Sequence, residues 1–233
     1  MIGVIGGMGP AATADFLNKV IEETPAEHDA DHVPLLISND PRIPARPAAI
    51  LSGGESPLPR LLDIRNKLLA AGATALVMPC NTAHYWYDDL LHSCPVPFIS
   101  IVECNALEAL RLAGPGATIG VAGTRATLAS GLFDRTLARH GLHTVRPTDA
   151  EFEHSLLPAI AAVKAGRIAH AGALVEATLI GMAERGASHI LLACTELPLA
   201  LAAGGPAGGA PCIDATRTLA RATVAFWRAQ AAR

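Results

Sequence analysis

The strongest constraint on the fold is that the sequence states one plan twice. Val77-Met78-Pro79-Cys80-Asn81-Thr82-Ala83-His84 returns as Leu191-Leu192-Ala193-Cys194-Thr195-Glu196-Leu197, with Cys80 and Cys194 114 residues apart. The same offset, without a gap, relates Gly72 to Gly186, Ala73 to Ala187, Pro97 to Pro211 and Ile99 to Ile213. An earlier window repeats at an offset of 117, pairing Ile2 with Ile119, Gly3 with Gly120, Val4 with Val121, Gly6 with Gly123, Ala12 with Ala129 and Phe16 with Phe133. A solenoid unit would recur every 20 to 50 residues or so. A repeat this long is a duplicated lobe.

Within each copy, short apolar runs alternate with segments of helical spacing. Residues 1–6 read as a strand ending in glycines, and Pro10 opens a helix from its first turn. Residues 35–37 read as a second buried strand, followed by a proline-rich loop from Asn39 to Arg46. Residues 58–71 form a helix closed by Gly72, and 74–78 a strand that delivers Cys80. Helices over about 85–92 and 106–112 bracket a strand at 98–102. In the second copy, strands are expected at 118–122, 143–146 and 189–192, and helices at 128–140, 151–163 and 170–185. Residues 202–210 read as a Gly/Ala-rich loop, and a last strand at Cys212-Ile213-Asp214 precedes a C-terminal helix.

This alternation implies an α/β fold of two similar lobes, each a parallel sheet flanked by helices, related by a pseudo-twofold duplication. The expected lobes are 1–98 with 209–233, and 99–208. Loops at the carboxyl ends of parallel strands commonly carry ligand groups, so both cysteines are expected at an active site in the cleft between the lobes.

Composition narrows the function classes. With 51% hydrophobic residues, 233 residues can bury a core in each lobe. The net charge of −3 combines 18 basic with 21 acidic residues and contains no basic run, which argues against nucleic acid as a partner. No segment of bilayer-spanning length escapes interruption by charge, proline or glycine, so no membrane partner is expected. The apolar start lacks a basic leader and reads as a strand, not as a signal peptide. Five scattered cysteines without zinc-site spacing suggest reduced thiols in a cytoplasmic enzyme.

A thiolate is the reactive form of cysteine, and a helix N-terminus favours it. Cys80 and Cys194 are both expected at such a position. Either alone reads equally well as a small buried hydrophobe. As an equivalent pair they suit the inversion of a stereocentre, in which a base removes a proton from one face of a carbon and an acid returns one to the other. The carbanion formed must be stabilised by donors around the adjoining carboxylate. Asn81, Thr82, Thr195 and nearby backbone amides are candidates, with helix capping as the alternative role. Thr124 and Thr127 replace the first copy's glycine turn, where they either face a ligand or cap a helix. Glu196 stands where the first copy has Thr82; a carboxylate there raises the pKa of Cys194, leaving Cys80 as the readier thiolate. His84 is one helical turn from Cys80, but a histidine bonded to backbone explains the spacing more simply. Cys94, Cys104 and Cys212 read as packing residues.

The start Ile2-Gly3-Val4-Ile5-Gly6-Gly7-Met8-Gly9-Pro10, the Pro79-Cys80-Asn81-Thr82-Ala83-His84 segment and Ala193-Cys194-Thr195-Glu196 together resemble the aspartate racemases of the Asp/Glu racemase superfamily, over nearly the whole chain. The resemblance implies an amino-acid racemase that needs neither pyridoxal phosphate nor a metal, with Cys80 and Cys194 as paired bases. It implies an amino-acid substrate and a homodimer. It also assigns Arg46, from the proline-rich loop, and Lys164, from Ala162-Val163-Lys164-Ala165-Gly166, to the substrate's side-chain carboxylate. Asn81, Thr82, Ala83, Thr124, Thr195 and Glu196 complete the expected substrate-binding set. Retention of both cysteines disfavours the single-cysteine decarboxylases, and the start and Cys80 segments favour aspartate over glutamate; broad specificity stays open.

Three other readings compete. Gly7-Met8-Gly9-Pro10-Ala11-Ala12 fits G-x-G-x-x-A, the signal of a dinucleotide-binding oxidoreductase, although Pro10 inside the turn argues against it. A non-catalytic two-lobed amino-acid-binding protein would share the duplication. A cysteine hydrolase or thiol oxidoreductase would need a C-x-x-C motif or a convincing His/Asn partner, and neither is evident.

Overall fold

The computed structural model describes residues 1–168, 171–204 and 209–231. The chain forms two compact units, Met1–Cys104 with Thr216–Arg233, and Asn105–Ala215. The first contains β1 (Ile2–Gly6), β2 (Leu35–Asn39), β3 (Ala75–Val77) and β4 (Phe98–Ile99), in the order β2-β1-β3-β4. The second contains β5 (Thr118–Gly123), β6 (His143–Val145), β7 (His189–Ala193) and β8 (Cys212–Asp214), in the order β6-β5-β7-β8. All pairings are parallel. This is the two-lobed α/β architecture that the alternating pattern implies, with helices flanking each sheet.

The duplication reaches the level of strand register. Ile2 pairs with Ala75 in the first sheet, and Ile119 with His189 in the second. Leu76 pairs with Phe98, and Ile190 with Cys212. These are the pairings that the offsets of 117 and 114 require. Local packing repeats with them. A Cβ on Gly3 would lie 2.8 to 3.3 Å from Leu76, Ala73 and Leu68, and one on Gly120 would lie 3.0 to 3.3 Å from their counterparts Ile190, Ala187 and Met182. Gly72 and Gly186, which end equivalent helices, both have φ +92, a conformation that glycine tolerates at no steric cost.

Burial explains why these runs are strands. β1 is buried along its whole length, and four of the five residues of β7 are buried. Strands covered on both faces lose the polar alternation of a half-exposed sheet. In each sheet the chain moves from the inner strand (β1 or β5) to the edge strand on one side (β2 or β6), then crosses to the other inner strand (β3 or β7). The loops leaving the two inner strands therefore diverge at a topological switch point, where open α/β sheets bind ligands. Cys80 follows β3 at that point and Cys194 follows β7.

Several local features differ from expectation. Cys212–Asp214 pairs with β7, so the return to the first unit comes at Thr216 and not near residue 209. The repeat itself makes β8 the counterpart of β4. The helix expected at 128–140 is two helices, Arg125–Ser130 and Leu132–Arg139, broken at Gly131 with φ +64. The helix expected at 151–163 contains a wider π turn at Phe152–Leu156, because Pro158 has no N–H to give the carbonyl of His154. The segment after Cys80 is a tight helix, Thr82–Trp86, continued by Tyr87–Leu91. The helix before Arg185 spans Ala171–Glu184, and His170 lies outside the described residues. Helix Glu196–Gly204 occupies the start of the expected 202–210 loop, of which 205–208 lie outside the described residues. Among the described residues, no helix is long and apolar enough to cross a membrane.

Candidate active site

In the first unit the site begins at the turn after β1. Gly7 has φ +97, and a Cβ there would lie 2.2 Å from the carbonyl oxygen of Asp40. Only glycine lets the loops after β1 and β2 approach this closely. The Gly7 N–H donates to the Thr13 hydroxyl at 2.9 Å, and that hydroxyl donates to Gly9 O at 3.3 Å. The glycines thus serve loop packing, and the Gly7 amide is already engaged within the turn. That is unlike the open amides of a pyrophosphate-binding turn.

Asp40 holds the next loop. Its carboxylate accepts from the backbone N–H of Arg42 at 3.0 Å and from the guanidinium groups of Arg42 and Arg60. These hydrogen bonds keep its pKa well below the usual carboxylate range, the Arg42 side chain being the largest contributor. Asp40 and Arg60 are the loop-holding residues that sequence reasoning missed; an acid directly after β2 was the available signal. Six residues on, Arg46 opens the helix Arg46–Ser52. Its Nη1 donates to Ile43 O and Pro44 O, both at 3.1 Å, while its buried Nε has no hydrogen-bond partner.

Cys80 is 5% exposed and leaves β3 through a three-residue turn in which its N–H donates to Met78 O at 2.8 Å. Asn81 follows, 2% exposed, with neither its amide nitrogen nor its carbonyl oxygen hydrogen-bonded. A buried amide without partners is costly, and such groups normally have an explanation. Thr82 is buried at the start of the tight helix, and the Ala83 side chain lies in the core with Cys80 and Met78, so Ala83 can offer a ligand only its backbone.

His84 is fully buried. Its Nε2 accepts the Ile101 N–H at 3.2 Å, which puts the ring proton on Nδ1, 2.9 Å from Cys80 O. Burial pushes its pKa down to about 4. The neutral ring is a backbone brace, as the simpler reading of its spacing anticipates.

In the second unit Cys194 is 4% exposed and stands two residues before the helix Glu196–Gly204. Its thiol donates to Glu196 Oε2 at 3.0 Å, and the Thr195 hydroxyl donates to the same oxygen at 3.1 Å. Lys164 Nζ lies 3.8 Å from Glu196 Oε1. Burial, then the charge and hydrogen bond of Glu196, push the Cys194 pKa up, so the helix N-terminus does not produce the lowering first expected. Thr195 directs its proton to Glu196, and its oxygen is left as an acceptor. Thr124 caps the helix Arg125–Ser130, accepting from Thr127 N at 3.1 Å.

Of the other cysteines, Cys94 and Cys104 are partly buried, and burial raises Cys104 to about 11. Cys212 is exposed, which corrects its reading as a packing residue. In summary of position, Cys80, Asn81, Thr82 and Arg46 belong to the first unit; Thr124, Lys164, Cys194, Thr195 and Glu196 belong to the second.

Known proteins share this organisation. The family model described as Asp/Glu/Hydantoin racemase matches residues 5–223. The broad specificity amino-acid racemase RacX of Bacillus subtilis is 29% identical over 234 residues, covering 98% of this chain and 99% of that protein. The structure of Picrophilus torridus aspartate racemase is 29% identical with a TM-score of 0.83, covering 97% of this chain and 94% of that one. Glutamate racemase from Francisella tularensis, solved with D-glutamate, shares the fold at 15% identity and a TM-score of 0.71, covering 99% of this chain and 81% of that one. The chain belongs to the Asp/Glu/hydantoin racemase family and is an amino-acid racemase, an isomerase.

Proposed function

We propose that the enzyme interconverts L- and D-aspartate, with Cys80 and Cys194 as its paired base and acid. The observation that carries this reading is the repeated register: both cysteines stand three residues beyond paired positions, Val77 and Leu191, that correspond in the two sheets. In one direction the Cys80 thiolate takes the proton from Cα, and the C–H electron pair passes into the α-carboxylate. The Cys194 thiol then returns a proton to the opposite face. The enediolate-like intermediate calls for donors fixed in advance. The unpartnered amide of Asn81 is one such group. The oxygen of Thr195, as an acceptor, suits the substrate ammonium.

The choice of aspartate rests on Arg46, whose guanidinium is anchored through Nη1 and retains a buried, unpartnered Nε. It agrees with the likeness to the Picrophilus torridus enzyme. A second reading, broad amino-acid specificity, is favoured by the partner of Lys164, which faces Glu196 and so leaves side-chain recognition to one cation. It agrees with the likeness to RacX.

Exchange of the α-hydrogen in heavy water, followed across a panel of L- and D-amino acids without added cofactor, separates the two. Aspartate labelled much faster than alanine or serine supports the dicarboxylate reading. Comparable rates across the panel favour broad specificity, and no exchange with any member would remove the proposal.

A further inference from the structure

The carboxylate of Glu196 is buried against a thiol, and its two oxygens meet different partners. Oε2 accepts from Cys194 Sγ and from the Thr195 hydroxyl, whereas Oε1 faces the half-exposed Lys164 ammonium at 3.8 Å. The corresponding residue of the first copy, Thr82, carries no charge. Among the largest influences on Cys194 are the charges of Glu196 and Lys164, which act with opposite signs.

We propose that Glu196 is a positioning residue that keeps the proton on Cys194 between turnovers, and that Lys164 sets how firmly it is kept. The reacting form of the enzyme then has Cys194 as the acid and Cys80 as the base. This rests on the two-thiol reading above and deepens it.

An ionised carboxylate can only accept, so the hydrogen bond between Cys194 and Glu196 exists while the thiol keeps its proton. Loss of that proton to solvent would leave a thiolate beside a carboxylate in a buried site, with like charges about 3 Å apart. Transfer to Glu196 would require a carboxylate more basic than a thiol, against their ordinary pKa values of about 4.3 and 8.5. Glu196 therefore retains the proton on sulfur and does not relay it. One turnover moves a proton from substrate to Cys80 and another from Cys194 to product. The starting form is restored when Cys80 releases its proton to solvent and Cys194 takes one up. The enantiomer that needs Cys194 as base must meet the less populated form.

The test measures thiolate ultraviolet absorbance against pH in Cys80→Ser protein, with the Cys80→Ser/Cys194→Ser signal subtracted so that the other cysteines cancel. Glu196→Gln should move the Cys194 titration down by about one pH unit or more, and Lys164→Met should move it up. In the two-cysteine enzyme, Glu196→Gln should shift the high-pH limb of kcat/KM down by the same amount. A structural contact alone would not move that limb. Because enantiomers are equal in free energy, kcat/KM for the two directions stays equal in every variant, an internal check on each measurement.

A Cys194 titration that stays in place or rises in Glu196→Gln overturns the proposal, as does one that falls in Lys164→Met. The exposed site of Lys164 keeps that second arm readable even if Glu196→Gln folds poorly. The absorbance measurement needs no substrate, so its outcome is independent of the aspartate assignment. Loss of the two-thiol reading would show separately, as full racemase activity in Cys80→Ser.

Discussion

His84 is bonded to the carbonyl oxygen of Cys80 through Nδ1, at 2.9 Å, and so braces the backbone of the residue whose sulfur is proposed to act. Burial holds this ring neutral down to about pH 4, whereas in the unfolded chain it takes up a proton near 6.5. The stabilisation is fully present above pH 6.5 and is lost as the pH falls toward 4, by which point the loss amounts to on the order of 3 kcal/mol. Denaturant titrations at pH 7 and pH 4.5 should show wild type losing more stability than His84→Asn. Equal losses would mean that the ring is not the group responsible.

The cysteines should divide by role. Cys80→Ser and Cys194→Ser should each lower racemisation by on the order of 10²-fold or more, since a hydroxyl is a far weaker acid than a thiol. Cys94→Ser, outside the proposed site, should retain near-normal rates. Loss of activity in Cys94→Ser with normal melting behaviour would contradict this division.

Asn81 predicts opposite effects on stability and activity. Its side chain is buried with both polar atoms unpartnered, so Asn81→Leu, which keeps the shape and removes the polarity, should raise unfolding stability by about 1 to 3 kcal/mol. The same change should nearly abolish turnover. Thermal melts paired with exchange assays measure both; a destabilised Asn81→Leu protein would indicate that the amide has a structural partner.

Arg46 tests side-chain recognition. Lysine cannot reproduce both the Nη1 contacts to Ile43 and Pro44 and a second donor directed elsewhere. Arg46→Lys should raise the KM for aspartate about tenfold or more, with a smaller effect on kcat. Unchanged KM with unchanged exchange of neutral amino acids would take Arg46 out of recognition.

Much of this was legible in the sequence because the duplication supplied an internal standard. The offsets of 114 and 117 anticipate the pairings of Ile2 with Ala75 and Ile119 with His189, and the equivalence of Cys80 and Cys194. Details that depend on single contacts were not legible. Pro158 and the π turn before it, the break at Gly131 and the exposure of Cys212 each reflect local backbone or burial that periodicity does not encode. The charge of Glu196 predicted its direction of influence on Cys194, but burial is the larger cause, and burial requires the folded chain. Asp40 was visible as a loop residue, and its ion pair with Arg60, twenty residues away, was not.

The two sheets keep matching sequence offsets at their inner strands and at the β4 and β8 edge, and lose them at the other edge. Leu35 of β2 and Thr144 of β6 each pair with the equivalent residues Ile2 and Ile119, yet they are separated by 109 residues and not by 114 or 117. The two copies thus differ in length in the connections to and from β2 and β6, while the path from β3 to β4 matches that from β7 to β8. The loop bearing Arg46 belongs to the variable part, and the cysteines to the invariant part. Such a scaffold can be altered in one peripheral connection while the strands that carry the two cysteines are left undisturbed.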